Sequence, residues 1–135
     1  MAVELTKDAI DLGIVTRDAA ASLKFYVDTL GFKSIGENPM PGTGVMHMLL
    51  CGKSMIKIVE LEKDPKGGAP APGGIRGATG YRYWTISVSN IPELIADCEA
   101  AGYKIVMPET ELRPGVKIGM VEDPDGNWVE FLTTG

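Results

Sequence analysis

The fold is decided by two stretches that share one pattern, Ile10-Asp-Leu-Gly-Ile-Val-Thr16 and Arg82-Tyr-Trp-Thr-Ile-Ser-Val88. Side-chain character alternates along both stretches, and they align at an offset of 72 residues. Alternation with a period of two is typical of a strand that buries one face. We therefore predict two equivalent strands, in which the residues facing each unit's own helix are Ile10, Leu12, Ile14, Arg82, Trp84 and Ile86.

Each of these strands is followed by a helix signal. Asp18 follows the first strand and Asn90-Ile-Pro-Glu93 follows the second, and both provide residue types that cap a helix N-terminus. Both predicted helices end at a glycine before an aromatic residue, Gly31-Phe32 and Gly102-Tyr103. These ends align at an offset of 71 residues, so the second copy is one residue shorter. The predicted apolar stripes are Leu23, Tyr26, Val27 and Leu30 in the first helix and Leu94, Ile95, Cys98 and Ala101 in the second.

Three further strand-like stretches follow each helix. They cover residues 32–37, 45–51 and 54–61 in the first half, and 103–107, 116–122 and 127–133 in the second. The chain is thus predicted to contain a βαβββ module twice, over about residues 8–61 and 80–133. This predicts an α+β fold in which residues 1–135 form one domain, with paired modules whose curved mixed sheets enclose a cleft.

The segment between the two modules, residues 62–80, contains six glycines and three prolines among its nineteen residues. Such a composition is typical of a linker that contributes nothing to the core. A connection of this length inside a compact domain is usually a lid, a binding loop or a spacer. The sequence leaves open whether this linker is a lid or a passive spacer.

Composition excludes several classes of partner. The chain has 13 basic and 18 acidic residues, a net charge of −5, so it lacks the basic surface that binds nucleic acid or anionic membranes. It has no apolar run of about 18 residues and no signal-peptide pattern at its start. Cys51 and Cys98 lie 47 residues apart and form no CxxC motif, which indicates free thiols in a reducing compartment. We therefore expect a cytoplasmic protein.

The alternation also identifies the side chains that face away from the helices. Asp11 and Tyr83 belong to this set on the first strand of each module, and Lys57 and Glu130 occupy equivalent positions on the last. We expect these four polar groups to converge in an otherwise apolar cleft. The ligand-binding residues predicted around them are Met46, Met48, Met55, Val59, Trp128, Leu132 and Tyr81.

The alternative interpretation is that this face of each sheet is an ordinary solvent-exposed face, along which polar and apolar side chains alternate in the same way. Lys57 and Glu130 would then be solvated. The large apolar side chains at the same parity favour a pocket or an interface instead. His47 is the only histidine. It falls at the helix-facing parity beside Ile58, and we interpret it as structural.

The paired modules, the segment Phe25-Tyr26 through Leu30-Gly31-Phe32, and the stretches Gly80 to Val88 and Val121 to Phe131 resemble one known family. They are similar to the vicinal oxygen chelate superfamily, which includes glyoxalases, bleomycin-resistance proteins and extradiol dioxygenases. The resemblance runs from about residue 9 to residue 133. It implies that each module provides two ligands to a divalent metal, one from its first strand and one from its last.

The usual ligands at those positions are His or Glu, whereas this sequence has Asp11, Lys57, Tyr83 and Glu130. An ammonium group among the four repels a dication. We therefore expect a degenerate site without metal or other cofactor, in which Lys57 is flanked by two carboxylates in the place of the ion.

Two functions are compatible with such a site. The first is a small-molecule binding protein, similar to the metal-free drug-sequestration members of the family, that holds an apolar or aromatic ligand. The second is a lyase or isomerase in which Lys57 polarises a carbonyl, Glu130 or Asp11 moves a proton, and Tyr83 donates a hydrogen bond to the developing oxyanion. The resemblance also implies a homodimer, with the modules paired within one chain or exchanged between two.

Overall fold

The computed structural model describes residues 2–135. These residues divide into two compact units, one ending at Lys66 and the other beginning at Gly67. Each unit contains one four-stranded mixed sheet and one main helical segment, in the order βαβββ. The prediction of two βαβββ units in an α+β fold is therefore confirmed, and the boundary between them lies within the predicted linker.

The first unit has strand order β1-β4-β3-β2. Strand β1 runs parallel to β4, and the other neighbours are antiparallel. Its elements are β1 (Leu12–Thr16), α1 (Ala19–Leu23), a π-helix (Lys24–Thr29), β2 (Lys33–Met40), β3 (Gly44–Cys51) and β4 (Ser54–Leu61).

The second unit has the equivalent order β5-β8-β7-β6, with β5 parallel to β8. None of the helices within residues 2–135 has the length and apolar character needed to cross a membrane. The elements of this unit are a 3₁₀ turn (Gly74–Arg76), β5 (Tyr83–Ser87), α2 (Ile91–Ala100), β6 (Ile105–Arg113), β7 (Val116–Glu122) and β8 (Trp128–Thr134).

Each sheet buries one face together with the helix of its own unit. In the first unit, Phe25, Tyr26, Leu49, Ile56 and Ile58 are at most 2% exposed. Burying a side chain of this size stabilises the fold by about 1.5–3 kcal/mol. The corresponding buried residues of the second unit are Ile91, Cys98, Val121, Val129 and Phe131.

The first helical segment differs from the prediction in its second half. Over Lys24–Thr29 it is a π-helix, in which the Leu30 N–H donates to the carbonyl oxygen of Phe25 at 3.0 Å. The wider turn places both Phe25 and Tyr26 in the core. The predicted stripe assumed 3.6 residues per turn, so Tyr26 is its only fully buried member and the others are half-buried.

The one-residue difference between the modules lies in this π-helix. The helical segments begin at the equivalent cap residues Asp18 and Asn90 and end before the glycines Gly31 and Gly102, which both have positive φ. The first segment is one residue longer between these points. A π-turn contains one more residue than an α-turn and so takes up the difference.

The two helices are capped differently. The Asp18 carboxylate accepts a hydrogen bond from the Ala21 N–H at 3.0 Å, as predicted, and Glu60 of β4 accepts one from the Ala19 N–H at 2.8 Å. Asn90 makes no side-chain capping bond within the described part of the chain, so the cap predicted at the start of α2 is wrong. Pro92 in the first turn has no N–H, which leaves one donor fewer to satisfy.

Two predicted helix-facing residues lie outside the core. Ile10 is 81% exposed because β1 begins only at Leu12, which is the first residue paired with β4. Ala101 is exposed because it lies at the C-terminal cap of α2, beyond the turns that pack on the sheet. The buried face of α2 instead centres on Ile91 and Cys98.

Candidate functional site

The first unit brings Asp11 and Lys57 together. Gly13 of β1 lies opposite Lys57 of the parallel strand β4, so the residue just before β1 comes alongside the lysine. The Asp11 Oδ2 atom lies 3.9 Å from Lys57 Nζ, and the two side chains are 32% and 37% exposed. An ion pair this open to solvent adds little to the stability of the fold.

Lys7 is a member of this cluster that the sequence did not reveal. Its Nζ donates to Asp11 Oδ1 at 2.6 Å, and the Met55 backbone N–H donates to the same oxygen at 3.1 Å. These two hydrogen bonds hold the pKa of Asp11 below its ordinary value of 3.8, and the bond from Lys7 has the larger effect. Asp11 is thus a carboxylate at neutral pH. The four-residue spacing between Lys7 and Asp11 is the sequence feature that could have indicated this contact. Such a spacing predicts a contact only when both residues lie in a helix.

An apolar surface surrounds Lys57 on its own face of the sheet. Met48 of β3 pairs with Lys57, and Met46 pairs with Val59. Met55 precedes Lys57 by two residues and therefore shares its face. We call Met46, Met48, Met55 and Val59 the methionine surface. All four side chains are half-buried, and the strand register places them on the face that the alternation predicts.

In the second unit, Glu130 is bound by a hydroxyl group. Strands β5 and β8 are parallel, with Thr85 opposite Glu130 and Tyr83 opposite Trp128. The Thr85 Oγ1 donates to Glu130 Oε1 at 2.8 Å. Tyr83 is 48% exposed and shares the face of Thr85. Thr85 was not among the predicted site residues. The alternation along β5 nevertheless places it on the same face as Tyr83.

Part of the linker packs against the second unit. Gly74 is buried, and its backbone lies so close to the Trp128 indole that a Cβ atom would overlap the ring. Arg82 fixes this segment, because its Nε donates to the Gly74 carbonyl oxygen at 2.6 Å and its guanidinium also donates to that of Ala71. Arg82 binds this loop, so the prediction that it faces the helix is wrong. We call residues 71–77 the Arg82 loop.

The other predicted wall residues of this unit differ in exposure. Trp128 and Leu132 are half-buried, and Trp128 Nε1 donates to Glu122 Oε1 at 3.2 Å. Tyr81 precedes β5, and its side chain is fully exposed. The structure therefore places Tyr81 in solvent rather than against the sheet.

His47 and the two cysteines offer no nucleophilic centre. The His47 Nδ1 lies 3.3 Å from Glu37 Oε2 on the neighbouring strand, in agreement with a structural role. Both cysteines are free thiols. Burial raises the pKa of Cys51, and it raises that of Cys98 to about 11. Both groups are therefore protonated at neutral pH, and a protonated thiol is a poor nucleophile.

Acidic, thiol and imidazole groups are dispersed. Within residues 2–135, no three or more His, Cys, Asp and Glu side chains form a group that could hold a metal ion. Asp11 and Lys57 belong to the first unit, whereas Tyr83 and Glu130 belong to the second. Each pair is therefore defined within its own sheet.

The sequence matches the family model of the Glyoxalase/Bleomycin resistance protein/Dioxygenase superfamily over residues 9–131. The chain belongs to this superfamily. This match confirms the resemblance that was based on the repeated module and on the stretch Val121 to Phe131.

Two solved structures share the fold of this chain, and one curated protein is similar to it in sequence. A glyoxalase family protein from Enterococcus faecalis is 27% identical, with a TM-score of 0.66 and coverage of 96% of both chains. The structure of a glyoxalase family protein from Bacillus cereus has a TM-score of 0.83 at 15% identity, covering 98% of this chain and 97% of that one. Among curated proteins, the uncharacterized protein YwbC of Bacillus subtilis is 27% identical over 123 residues, which are 89% of this chain and 92% of YwbC. The fold is glyoxalase-like, with a βαβββ unit present twice.

Proposed function

We propose that this member of the glyoxalase superfamily binds an apolar or aromatic small molecule at the methionine surface, without a metal ion. The observation that carries the proposal is the Lys57 ammonium group, which stands beside Met48 and 3.9 Å from Asp11. Methionine side chains are flexible and polarizable, so they adapt to ligands of irregular shape. A solvated face does not need several large apolar side chains at one parity, whereas a binding surface does.

The donors available in each unit do not fit a divalent metal. Asp11 already accepts two hydrogen bonds through Oδ1, and the ammonium of Lys57 is 3.9 Å from its other oxygen. A dication about 4 Å from an ammonium group is repelled by about 2 kcal/mol even in bulk water. In the second unit, Tyr83 offers a phenol, and Glu130 is already bound by Thr85. This chemistry supports a site that uses neither a metal nor another cofactor.

A lyase or isomerase that moves a proton beside a carbonyl is the alternative function. The lowered pKa of Asp11 makes that carboxylate a weak base at neutral pH, so proton transfer would depend on Glu130. Thr85 occupies one oxygen of Glu130, which leaves the other for a substrate. This arrangement favours Glu130 over Asp11 as the base, but the methionine surface is explained by ligand binding alone.

Metal analysis of the purified protein, combined with native mass spectrometry, tests the proposal. We expect far less than one equivalent of Ni, Zn, Fe or Mn per chain and no change in melting temperature with a chelator. We also expect an apolar or aromatic compound to be retained at least in part through purification. One equivalent of a metal whose removal lowers the melting temperature would contradict the proposal.

The substitution Lys57→Met separates binding from catalysis. If the protein is a binding protein, its affinity for a neutral aromatic probe such as 2-naphthamide should hold or rise, as measured by isothermal titration calorimetry. If it is an enzyme, α-proton exchange of an aromatic ketone, followed by NMR in deuterium oxide, should collapse while the fold survives. The matched control is Lys53→Met, because Lys53 lies exposed in the turn between β3 and β4.

The resemblance to the family also supports a homodimer, and the free thiols support a cytoplasmic location. Light scattering after size-exclusion chromatography should give twice the chain mass of 14.4 kDa. A mass of one chain at micromolar concentration would contradict the dimer.

A further inference from the structure

We infer that the ligand carries an anionic oxygen group of the carboxylate class on an apolar body, and that Lys57 receives the anion. This inference rests on the proposed binding function. It specifies the chemical class of the ligand at the methionine surface, which membership of the superfamily does not determine.

The Lys57 ammonium has hydrogen-bond donors to offer. An ammonium group has three donors, and within residues 2–135 the structure gives Lys57 no hydrogen bond. Its ion-pair partner, Asp11 Oδ2, is 3.9 Å away, beyond hydrogen-bond distance. The other oxygen of Asp11 accepts from Lys7 and from the Met55 N–H. An oxygen anion from a ligand would therefore find donors that the protein itself does not use, and such charge-assisted bonds are the strong ones.

The local charge also favours an anion. Lys7 and Lys57 carry two positive charges around the single negative charge of Asp11, although the whole chain has a net charge of −5. A bound carboxylate would make this cluster neutral. A cationic ligand would instead add a third positive charge to it.

There is open space beside the ammonium group. Gly13 lies opposite Lys57 on the neighbouring strand, and a Cβ atom at Gly13 would meet nothing within 4 Å. On the other neighbouring strand, Met48 lies opposite Lys57 and provides apolar contact. A molecule with its carboxylate near Gly13 and its apolar part on the methionine surface would match both sides of the lysine.

A pair of probes that differ only in charge tests the inference. Isothermal titration calorimetry on the full chain should show that 2-naphthoate binds about tenfold or more tightly than its uncharged amide, 2-naphthamide. Lys57→Met should abolish this preference without weakening binding of the amide. Lys57→Arg, which keeps the charge, should retain the preference, and the control Lys53→Met should leave both affinities unchanged.

The substitution Gly13→Val tests the space independently. The backbone at Gly13 is not in the left-handed region, so valine fits the strand, but its side chain would occupy the position assigned to the carboxylate. Binding of 2-naphthoate should fall about tenfold while circular dichroism and thermal unfolding stay unchanged. Equal affinities for the two probes, or a preference that survives Lys57→Met, would overturn the inference and leave the proposed function intact. Failure of both probes to bind would contradict the proposed function itself.

Discussion

Replacing Gly74 by alanine should detach the Arg82 loop from the indole of Trp128. Gly74 has φ +55°, a left-handed conformation, and an added Cβ would overlap the Trp128 ring. The chain can relieve this overlap in two ways. Either the indole moves and weakens its hydrogen bond to Glu122, or the loop lifts and loses the bond from Arg82 to the Gly74 carbonyl oxygen.

The cost of Gly74→Ala has two parts. A side chain in the left-handed conformation costs about 1–2 kcal/mol. Losing one of the two hydrogen bonds, each of which involves a charged group, costs about 1.5–3 kcal/mol. The free energy of unfolding should therefore fall by about 2.5–5 kcal/mol.

Gly73→Ala is the matched control. Gly73 also has a positive φ, 102°, but a Cβ there would meet its nearest atom, Gly77 Cα, at an ordinary 3.5 Å. Its cost should therefore be the backbone strain alone, about 1–2 kcal/mol. The difference between the two alanine variants isolates the contact between Gly74 and Trp128.

Urea denaturation followed by tryptophan fluorescence measures both effects. The chain has two tryptophans, so Trp84→Phe as the common background leaves Trp128 as the reporter. The emission of Trp128 should shift to the red in Gly74→Ala and stay unchanged in Gly73→Ala, because only the first variant uncovers the indole. Equal losses of stability in the two variants, with the same emission maximum, would refute the packing of the loop on Trp128.

Three further perturbations follow from single groups. The pKa of Asp11 is lowered in the folded chain, so its stabilising contribution is present above the ordinary carboxyl pKa of 3.8 and is lost as the pH falls through the lower folded value. The difference in melting temperature between the parent chain and Asp11→Asn should therefore shrink on acidification below that pH, and a constant difference would contradict the assignment. The pKa of Cys98 is raised to about 11, so iodoacetamide at neutral pH should modify this thiol only after the protein unfolds. Rapid labelling of Cys98 in the native protein, detected by peptide mass spectrometry, would contradict this. Gly119→Ala would bring a Cβ to 2.9 Å from Ile91 and 3.1 Å from Ile95, so chemical denaturation should show a loss of about 1–3 kcal/mol from overpacking, and no loss would mean that α2 can shift away from β7.

Strand parity was predictable because it depends on a local pattern. The two-residue period separates Ile56 and Ile58, which are buried, from Lys57, which faces the other side. The strand register makes Lys57 and Glu130 equivalent, because Lys57 lies opposite Gly13, Glu130 lies opposite Thr85, and Gly13 and Thr85 are 72 residues apart. Both inferences survive because each strand has one buried face, which fixes the register.

The errors arise where a contact depends on distant chain segments or unusual backbone geometry. Lys7 reaches Asp11 from a segment that is neither helix nor strand, so no periodicity points to it. Arg82 looked like a helix-facing strand residue, but it binds two carbonyl oxygens of a glycine-rich loop that has no pattern of its own. Phe25 was missed because a helical wheel assumes a constant turn, which the π-helix does not have.

The π-helix over Lys24–Thr29 also determines where the chain goes next. In an α-helix, one inserted residue rotates all that follows by about 100°, which would swing the Gly31 exit and strand β2 out of alignment. The wide turn absorbs the insertion locally, so both modules leave their helices in equivalent ways. Deleting one residue of this segment should thus convert it to a regular α-helix without re-aiming the sheet, whereas the same deletion within α2 would misdirect β6.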